Sequence, residues 1–265
     1  MMYLYETHLH TCQSSACGRS TGAQHVRYYK DIGFQGIIVT DHFFGGNTCV
    51  PRNLPWRERV NMFCAGYEDA LCEGQKCGLD VFFGWEQGYG DDEYLVYGLD
   101  KAWLLDHPEV EHWTRREQLD GVHRYGGCVV QAHPFRTRDY IRHVRLGHRY
   151  CDGAEIANAA NGALNDAYAL PYARHFHLAM TAGSDNHQSC SGMEAEGRIM
   201  GVSLPKKLNS INDWVRLIRE RQPIDLHVPQ DRWRTRIKET SAIESFFLDE
   251  SENLQLCDVD WLALR

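Results

Sequence analysis

Seven short apolar segments alternate with helix-forming segments in the first 185 residues of the chain. Most of these apolar segments are rich in Val, Ile and aromatic residues, which is typical of strands buried on both faces. Ser20 or Thr21 can cap the first helix, and Gly33 can end it. The alternation predicts a parallel sheet covered by helices. We expect strands at 3–7, 36–40, 80–86, 93–98, 128–133, 153–158 and 178–185, and helices near 20–33, 57–74, 110–125 and 163–176.

The length of the chain favours closure of this sheet into a barrel. One α/β barrel commonly takes about 250 residues, and the chain has 265, of which 43% are hydrophobic and 24% are charged. Beyond the strand–helix alternation, Trp214, Leu217 and Ile218 stand at helical spacing, which predicts a helix packed on the barrel. We therefore expect a barrel domain at 1–204 and a mostly helical extension at 205–265.

Charge and cysteine usage restrict the class of partner. The net charge is −8, and Lys and Arg form no run that could follow a phosphate backbone, so nucleic acid is not expected as a partner. The sequence shows no secretory signal and no apolar stretch near the roughly 20 residues of a membrane span. Its ten cysteines include no CxxC pair. This pattern predicts reduced thiols in a cytoplasmic protein that does not bind membranes, and it leaves the oligomeric state open.

Acids and histidines stand at or near the end of every predicted strand. His8 and His10 follow the first strand two residues apart, so they point to the same face of an extended backbone. An α/β barrel builds its active site at the carboxyl ends of its strands. We therefore expect these side chains to converge on one metal-binding pocket. The set is His8, His10, Asp41, His42, Glu86, Asp100, His133, Glu155, Asp185 and His187.

Five motifs in this order resemble a known family. The stretches "HLH", "TDH", "GWE", "AHP" and "GSDNH" resemble the polymerase and histidinol phosphatase (PHP) family over residues 3 to about 200. The resemblance implies a distorted (β/α)7 barrel, similar to a TIM barrel, that holds two or three divalent metal ions. Most proteins of this family are phosphoesterases. Zn, Mn and Fe all suit such a mixed set of imidazoles and carboxylates.

The resemblance also implies a role for each ligand. His8, His10 and Asp185 would hold the first metal. Glu86 would bridge the first metal to the second, which His133 would also bind. His42 and His187 would bind the third. Asp41 and Glu155 are expected to orient neighbouring ligands or to serve structure rather than to bind metal themselves.

Two positions depart from the family pattern. After "HLH", where many relatives supply a carboxylate or imidazole to the third metal, the chain reads "TCQSSACGRS". Cys17 could ligate there as a thiolate, or it could be a buried thiol. Asp100 stands where some relatives place a histidine on the second metal, and it could ligate or cap a helix that begins at Lys101. The number of metals is therefore two or three.

Three polar residues near the motifs are candidates for phosphate binding. Arg19 and Arg136 follow metal-ligand motifs and could clamp a phosphate through two hydrogen bonds, or they could be surface arginines. Asn158, like Asn161, could bind substrate or cap a helix.

The expected activity is hydrolysis of a small phosphorylated metabolite, either a phosphomonoester or a cyclic phosphate. A hydroxide shared by two ions would attack phosphorus, with Glu86 and Asp185 holding the ions and His187 or a third ion assisting the leaving group. An arginine would neutralise the charge on the phosphoryl oxygens. Alternatives are hydrolysis of an amide or lactone, a nuclease-type module and a non-catalytic metal-binding module.

Overall fold

The computed structural model describes residues 2–235 and 242–261, and all seven predicted strands are present in these ranges. The strands are β1 (Tyr3–Leu9), β2 (Gly36–Val39), β3 (Asp80–Gly88), β4 (Glu93–Tyr97), β5 (Cys128–Gln131), β6 (Val144–Leu146), β7 (Gly153–Asn158), β8 (Ala179–Gly183), β9 (Gly201–Leu204), β10 (Asp225–His227), β11 (Ser245–Leu248) and β12 (Leu254–Leu256). The α-helices are α1 (Gly22–Asp31), α2 (Trp56–Phe63), α3 (Ala65–Cys77), α4 (Lys101–Asp106), α5 (Arg115–Arg124), α6 (Ala163–His175) and α7 (Ile211–Arg219).

The strands β1, β2, β3, β4, β5, β7 and β8 follow one another around a nearly closed barrel. The barrel closes next to the first motif, just beyond the end of β8. There the backbone N–H of Asn186 donates to the carbonyl of His8 at 3.2 Å, and the N–H of His10 donates to the carbonyl of Asn186 at 2.9 Å. The distorted seven-stranded barrel that the resemblance implies is therefore confirmed.

One strand of the barrel runs against the others. β4 is antiparallel to both β3 and β5, so the prediction of a wholly parallel sheet is wrong at this strand. Only residues 89–92 lie between β3 and β4. A parallel crossover needs about a dozen residues or more, so a connection this short forms a hairpin. As a result, β4 begins rather than ends at the mouth, which is the end of the barrel where the parallel strands finish.

The predicted helices are present, with two differences. Thr21 caps α1 in a capping box with Gln24, and Gly33, with φ of 85°, follows the helix end. The predicted helix near 57–74 is divided at Cys64 into α2 and α3. The first residues of the helix predicted near 110–125 belong to a 3-10 helix at Pro108–His112. The α-helix α5 begins after Thr114, which caps it.

The segment after residue 204 mixes helix and strand. The predicted helix is confirmed as α7, whose buried Trp214, Val215 and Ile218 pack against the barrel. β10 pairs with β9, while β11 pairs with β6 and β12 with β11. The expectation of a mostly helical extension is therefore corrected. These strands have three or four residues and form by adding to existing edges, so they show too little periodicity to be predicted. The boundary between the two domains stays a prediction.

Two further observations bear on the class of protein. In the described part of the chain, no helix has the length and apolar character needed to cross a membrane. All ten cysteines lie within the described ranges as free thiols, as the sequence predicted.

Candidate metal centre

The predicted metal ligands meet at the mouth of the barrel. His8 lies in β1 and His10 directly follows it, and both side chains are fully buried. Their Nε2 atoms lie 3.1 Å apart, as expected for residues that alternate on one face of a strand. The Nε2 atom of His10 also lies 3.1 Å from Oδ1 of Asp185, which follows β8. The first motif and the last are thus brought together by closure of the barrel.

Glu86 lies at the centre of the cluster, near the end of β3. Its Oε1 atom is 3.1 Å from Nε2 of His133 and 3.3 Å from Nε2 of His8. Its Oε2 atom is 2.7 Å from Nδ1 of His42 and 3.5 Å from Nε2 of His10. Each carboxylate oxygen therefore faces a different pair of imidazoles, and Glu86 contacts four of the candidate ligands at once.

A second glutamate of the cluster was not predicted from the sequence. Oε2 of Glu93 lies 3.6 Å from Nε2 of His133, and its Oε1 lies 3.9 Å from Nδ1 of His42. Glu93 is the first residue of the antiparallel strand β4, which is why it reaches the mouth. The four-residue connection between β3 and β4 was the sequence signal that could have identified it.

Asp100 lies at the other end of β4 and is not part of the cluster. It is exposed, and its side chain accepts a hydrogen bond from the backbone N–H of Trp103 at 2.8 Å, so it caps α4. Of the two roles considered for Asp100, the structure therefore selects the helix cap. The reversed direction of β4 directs this strand end away from the mouth.

Two buried carboxylates support the ligands from outside the cluster. Glu155 lies 3.1 Å from Nδ1 of His8 and accepts a hydrogen bond from the backbone N–H of His133 at 3.1 Å. Asp41 accepts a hydrogen bond from Ser15 at 2.7 Å, and the Ser15 hydroxyl lies 3.4 Å from Nδ1 of His10. Both carboxylates therefore contact candidate ligands directly or through Ser15, and their expected role in orienting those ligands stays a prediction.

Arg136 is the predicted phosphate-binding residue that reaches the cluster. Its side chain is largely buried and contacts Asp185 through a short hydrogen bond, while Nε donates to Oδ1 of Asn161 at 2.9 Å. Asn158 is fully buried, and its amide donates to Glu155 at 2.8 Å, so it positions its neighbours instead of facing a substrate. Arg19 is exposed; its backbone N–H donates to the carbonyl of His187 at 2.7 Å, while its side chain lies outside the pocket wall.

His187 and Cys17 both line the pocket at the edge of the cluster. Nδ1 of His187 lies 2.8 Å from the backbone carbonyl of Asp185 and 3.6 Å from its Oδ1 atom. Cys17 is half-buried rather than a core thiol, and it lines the same pocket as His187 and His42. Burial opposes ionisation of this thiol, but the two imidazoles outweigh burial and lower the pKa of Cys17 to about 6.

The buried charges of the cluster shift the pKa values of its carboxylates and imidazoles in different directions. Burial favours neutral carboxyl groups, yet His8 and other imidazoles hold the pKa of Glu86 well below its usual range, and Arg136 does the same for Asp185. Burial and two neighbouring imidazoles hold the pKa of His10 well below its ordinary value. Burial also opposes protonation of His8, but surrounding carboxylates raise its pKa well above the ordinary value. This excess of carboxylate charge is what a divalent cation would neutralise.

The backbone is strained at two of the ligands. His133 has φ of 30° and Asp185 has φ of 52°, in a region that residues other than glycine rarely occupy. Such conformations cost about 1–3 kcal/mol and persist where the surrounding structure enforces them, typically at functional sites. Here they direct one imidazole and one carboxylate into the cluster.

Divalent cations fit this set of donors. Nδ1 of His42 and Oε2 of Glu86 lie 2.7 Å apart and are buried, yet neither makes a hydrogen bond. Unpaired buried polar atoms are costly, and a shared cation would satisfy both. Four sets of three side chains place their ligand atoms within 4.8 Å of one another: His8, His10 and Asp185; His8, Glu86 and His133; His42, Glu86 and Glu93; and His10, His42 and His187.

A pocket of about 450 Å³ opens onto the cluster. Asp185, His42 and His187 lie on its wall beside Arg136 and the exposed Tyr140. This volume lies within the usual range of small-molecule pockets.

The fold of the chain is similar to that of several solved structures. A two-domain protein from Bacteroides vulgatus, which contains a predicted PHP-like metal-dependent phosphoesterase, matches with a TM-score of 0.65 at 16% identity, over 88% of this chain and 68% of that one. PsfC from Pseudomonas syringae matches with a TM-score of 0.53 at 16% identity, over 88% and 94% of the two chains. A proposed metal-dependent phosphoesterase from Bifidobacterium adolescentis matches with a TM-score of 0.50 at 16% identity, over 82% and 96%.

These matches establish the fold. The chain has the barrel fold of PHP-like metal-dependent phosphoesterases, so the resemblance carried by the five motifs is confirmed at this level. No protein-family model and no curated protein matches the sequence.

Proposed function

We propose that the protein is a metal-dependent hydrolase of small phosphoesters, acting on phosphomonoesters or cyclic phosphates. The observation that carries this proposal is the position of Glu86, whose two oxygens face different imidazole pairs beside the arginine-lined pocket. Two proteins with this fold are described as metal-dependent phosphoesterases, which gives the proposal further support.

The donors divide naturally between two ions. His8, His10 and Asp185 would hold the first ion, and His133 with Glu93 would hold the second, with Glu86 shared between them. Divalent ions bound there would lower the pKa of a water molecule and polarise a phosphoryl oxygen.

Arg136 supplies the protein's own cation for the phosphoryl group. Burial disfavours its charge, but Asp185 outweighs burial and raises the pKa of Arg136, so the guanidinium stays charged. The hydrogen bond to Asn161 fixes the direction of this guanidinium at the pocket wall. A charged donor held in advance stabilises negative charge that develops on the phosphoryl oxygens.

His187 would assist departure of the leaving alkoxide. It lies on the pocket wall, and the carbonyl of Asp185 fixes its Nδ1–H. An imidazole held in this way can donate a proton to the leaving group or bind a third ion that does so.

A substrate panel tests the proposal. The protein would be stripped with a chelator, reloaded with Zn²⁺, Mn²⁺ or Fe²⁺, and assayed on phosphomonoesters, cyclic phosphates, amides and lactones. We expect metal-dependent release of phosphate, lost in Glu86→Gln and retained in Glu58→Gln, a matched change at an exposed glutamate.

Other results would replace the proposal. Turnover of amides or lactones alone would assign the protein to carbonyl hydrolysis. Salt-dependent DNA binding with strand cleavage would indicate a nuclease, and metal binding without turnover on any substrate would indicate a non-catalytic module.

A further inference from the structure

One arginine of the segment after residue 204 is buried against the helix that follows β7. Arg232 begins a 3-10 helix at Arg232–Arg234, and its side chain is only 15% exposed. Its Nε atom donates to Oδ2 of Asp166 at 2.9 Å, and Nη2 lies 2.6 Å from the same oxygen. Asp166 lies in the first turn of α6 and is buried. This two-point ion pair fixes the plane of the guanidinium.

The remaining donors of Arg232 hold the turn that joins β7 to α6. Its Nη2 atom donates to the carbonyl of Asn158 at 2.7 Å, and Nη1 and Nη2 both donate to the carbonyl of Asn161 at 3.0 Å. The turn itself is closed by a hydrogen bond from the N–H of Asn161 to the carbonyl of Asn158 at 3.0 Å. A planar guanidinium makes these contacts in one orientation, which the single ammonium group of lysine could not do.

The side chains of the same turn direct Arg136. Oδ1 of Asn161 accepts a hydrogen bond from Nε of Arg136 at 2.9 Å, and Oδ1 of Asn158 accepts one from its Nη2 atom at 3.4 Å. An amide oxygen carries no formal charge, so these contacts orient the guanidinium without neutralising it. Arg232 therefore holds the backbone of a turn whose side chains hold Arg136.

We propose that Arg232 is a positioning residue for the phosphate site, which fixes the turn at 158–161 and, through it, the guanidinium of Arg136. This role rests on the function proposed above and connects the segment after residue 204 to it. Arg232 lies outside the pocket wall, whereas Arg136 and Ala160 of the turn line it. Arg232 would thus act on a bound phosphoryl group only through Arg136.

Binding of inorganic phosphate tests this role without relying on turnover. Chelator-stripped protein, reloaded with Zn²⁺ or with Mn²⁺ in parallel, would be titrated with phosphate in a calorimeter. Arg232→Lys keeps a positive charge beside the buried Asp166 but loses the fork that reaches both carbonyls. We expect its dissociation constant for phosphate to rise about tenfold, with the metal content unchanged. Arg234→Ala, at an exposed position of the same 3-10 helix, should bind phosphate as the unmodified chain does.

A double-mutant cycle separates the positioning of Arg136 from general structural damage. In Arg136→Lys the guanidinium that Arg232 positions is already absent. Adding Arg232→Lys to that variant should therefore weaken phosphate binding by no more than about twofold, since the two changes act on one interaction. Damage that spreads to the pocket by another route would weaken binding equally in both backgrounds.

The possible results distinguish this role from the proposed function. Unchanged phosphate binding in Arg232→Lys, an equal effect in both backgrounds, or loss of metal from Arg232→Lys would overturn the positioning role and leave the phosphate site at Arg136 intact. Unmodified protein that binds the metal ions but no phosphate would overturn both proposals.

Discussion

The carboxylate of Glu155 lies 3.1 Å from Nδ1 of His8, on the side of the imidazole that faces away from the cluster. Because Nδ1 faces this carboxylate, Nε2 is the ring nitrogen that faces the cluster and would bind a cation, releasing its proton on binding. The same carboxylate accepts hydrogen bonds from Asn158 and from the backbone of His133. We therefore expect Glu155 to orient the candidate ligands on β1 and after β5 without binding metal itself.

Replacement of Glu155 by glutamine should weaken metal binding. The carboxylate accepts hydrogen bonds from its neighbours, whereas the NH₂ group of glutamine is itself a donor. One of these hydrogen bonds would be lost, and the His8 ring would lose its fixed orientation. Loss of such a support typically lowers metal affinity roughly 10- to 100-fold. Competition with a chromophoric chelator measures this affinity, and Glu58→Gln serves as the exposed control. Equal Zn²⁺ affinity in the Glu155 variant and the unmodified protein would contradict the role given to Glu155.

The two ends of β4 provide a matched pair of substitutions. Glu93→Gln should lower the metal content, because it removes a charged donor beside His133. Asp100→Ala should leave the metal content unchanged and lower the free energy of unfolding by about 1 kcal/mol, because it removes a helix cap. Elemental analysis and urea denaturation measure the two effects. Loss of metal from the Asp100 variant would contradict the placement of Asp100 outside the cluster.

The two candidate phosphate-binding arginines should differ in their kinetics. Arg136→Lys keeps the charge but loses the paired hydrogen bonds of a guanidinium, so kcat/KM for a phosphoester should fall roughly 10- to 100-fold. Arg19→Lys, at an exposed position outside the pocket wall, should leave kcat/KM unchanged. Steady-state assays on the best phosphoester of the panel decide this. Equal effects at both positions would remove Arg136 from the phosphate site.

Acid should destabilise the protein partly through His148. The ring stacks on Phe176 with centroids 3.7 Å apart, and burial lowers the pKa of His148 from 6.5 to about 4. Between these values the unfolded chain binds more protons than the native state. The stability contributed by neutral His148 is therefore complete above about pH 6.5 and is lost as the pH falls toward 4.

The size of this effect can be measured with His148→Phe. Since the ring is only partly buried, we expect neutral His148 to contribute about 1–2 kcal/mol to the free energy of unfolding, which is less than the full pKa shift would give. Urea denaturation of metal-free protein at neutral and at mildly acidic pH compares the two chains, so the metal centre contributes equally to both. The loss of stability on acidification should be smaller in the variant, and equal losses would exclude His148 as the cause.

The sequence by itself determined the local features of the fold and of the cluster. Periodicity of two placed His8 and His10 on one face of β1, and the capping candidates Ser20 and Thr21 indicated where the first helix begins. The rule that polar residues gather at strand ends identified Glu86, His133 and Asp185, because it depends only on strand position and direction.

The tertiary structure decided every feature that depends on direction or on distant contacts. The hairpin after β3 reversed β4, which brought Glu93 to the mouth and left Asp100 to cap a helix. The packing of distant segments buried Asn158 next to Arg136 and placed Cys17 and His42 on the wall of one pocket. The physical reason is that periodicity fixes which face a residue points to, whereas distances between segments far apart in the chain are fixed only when the barrel closes and its loops pack.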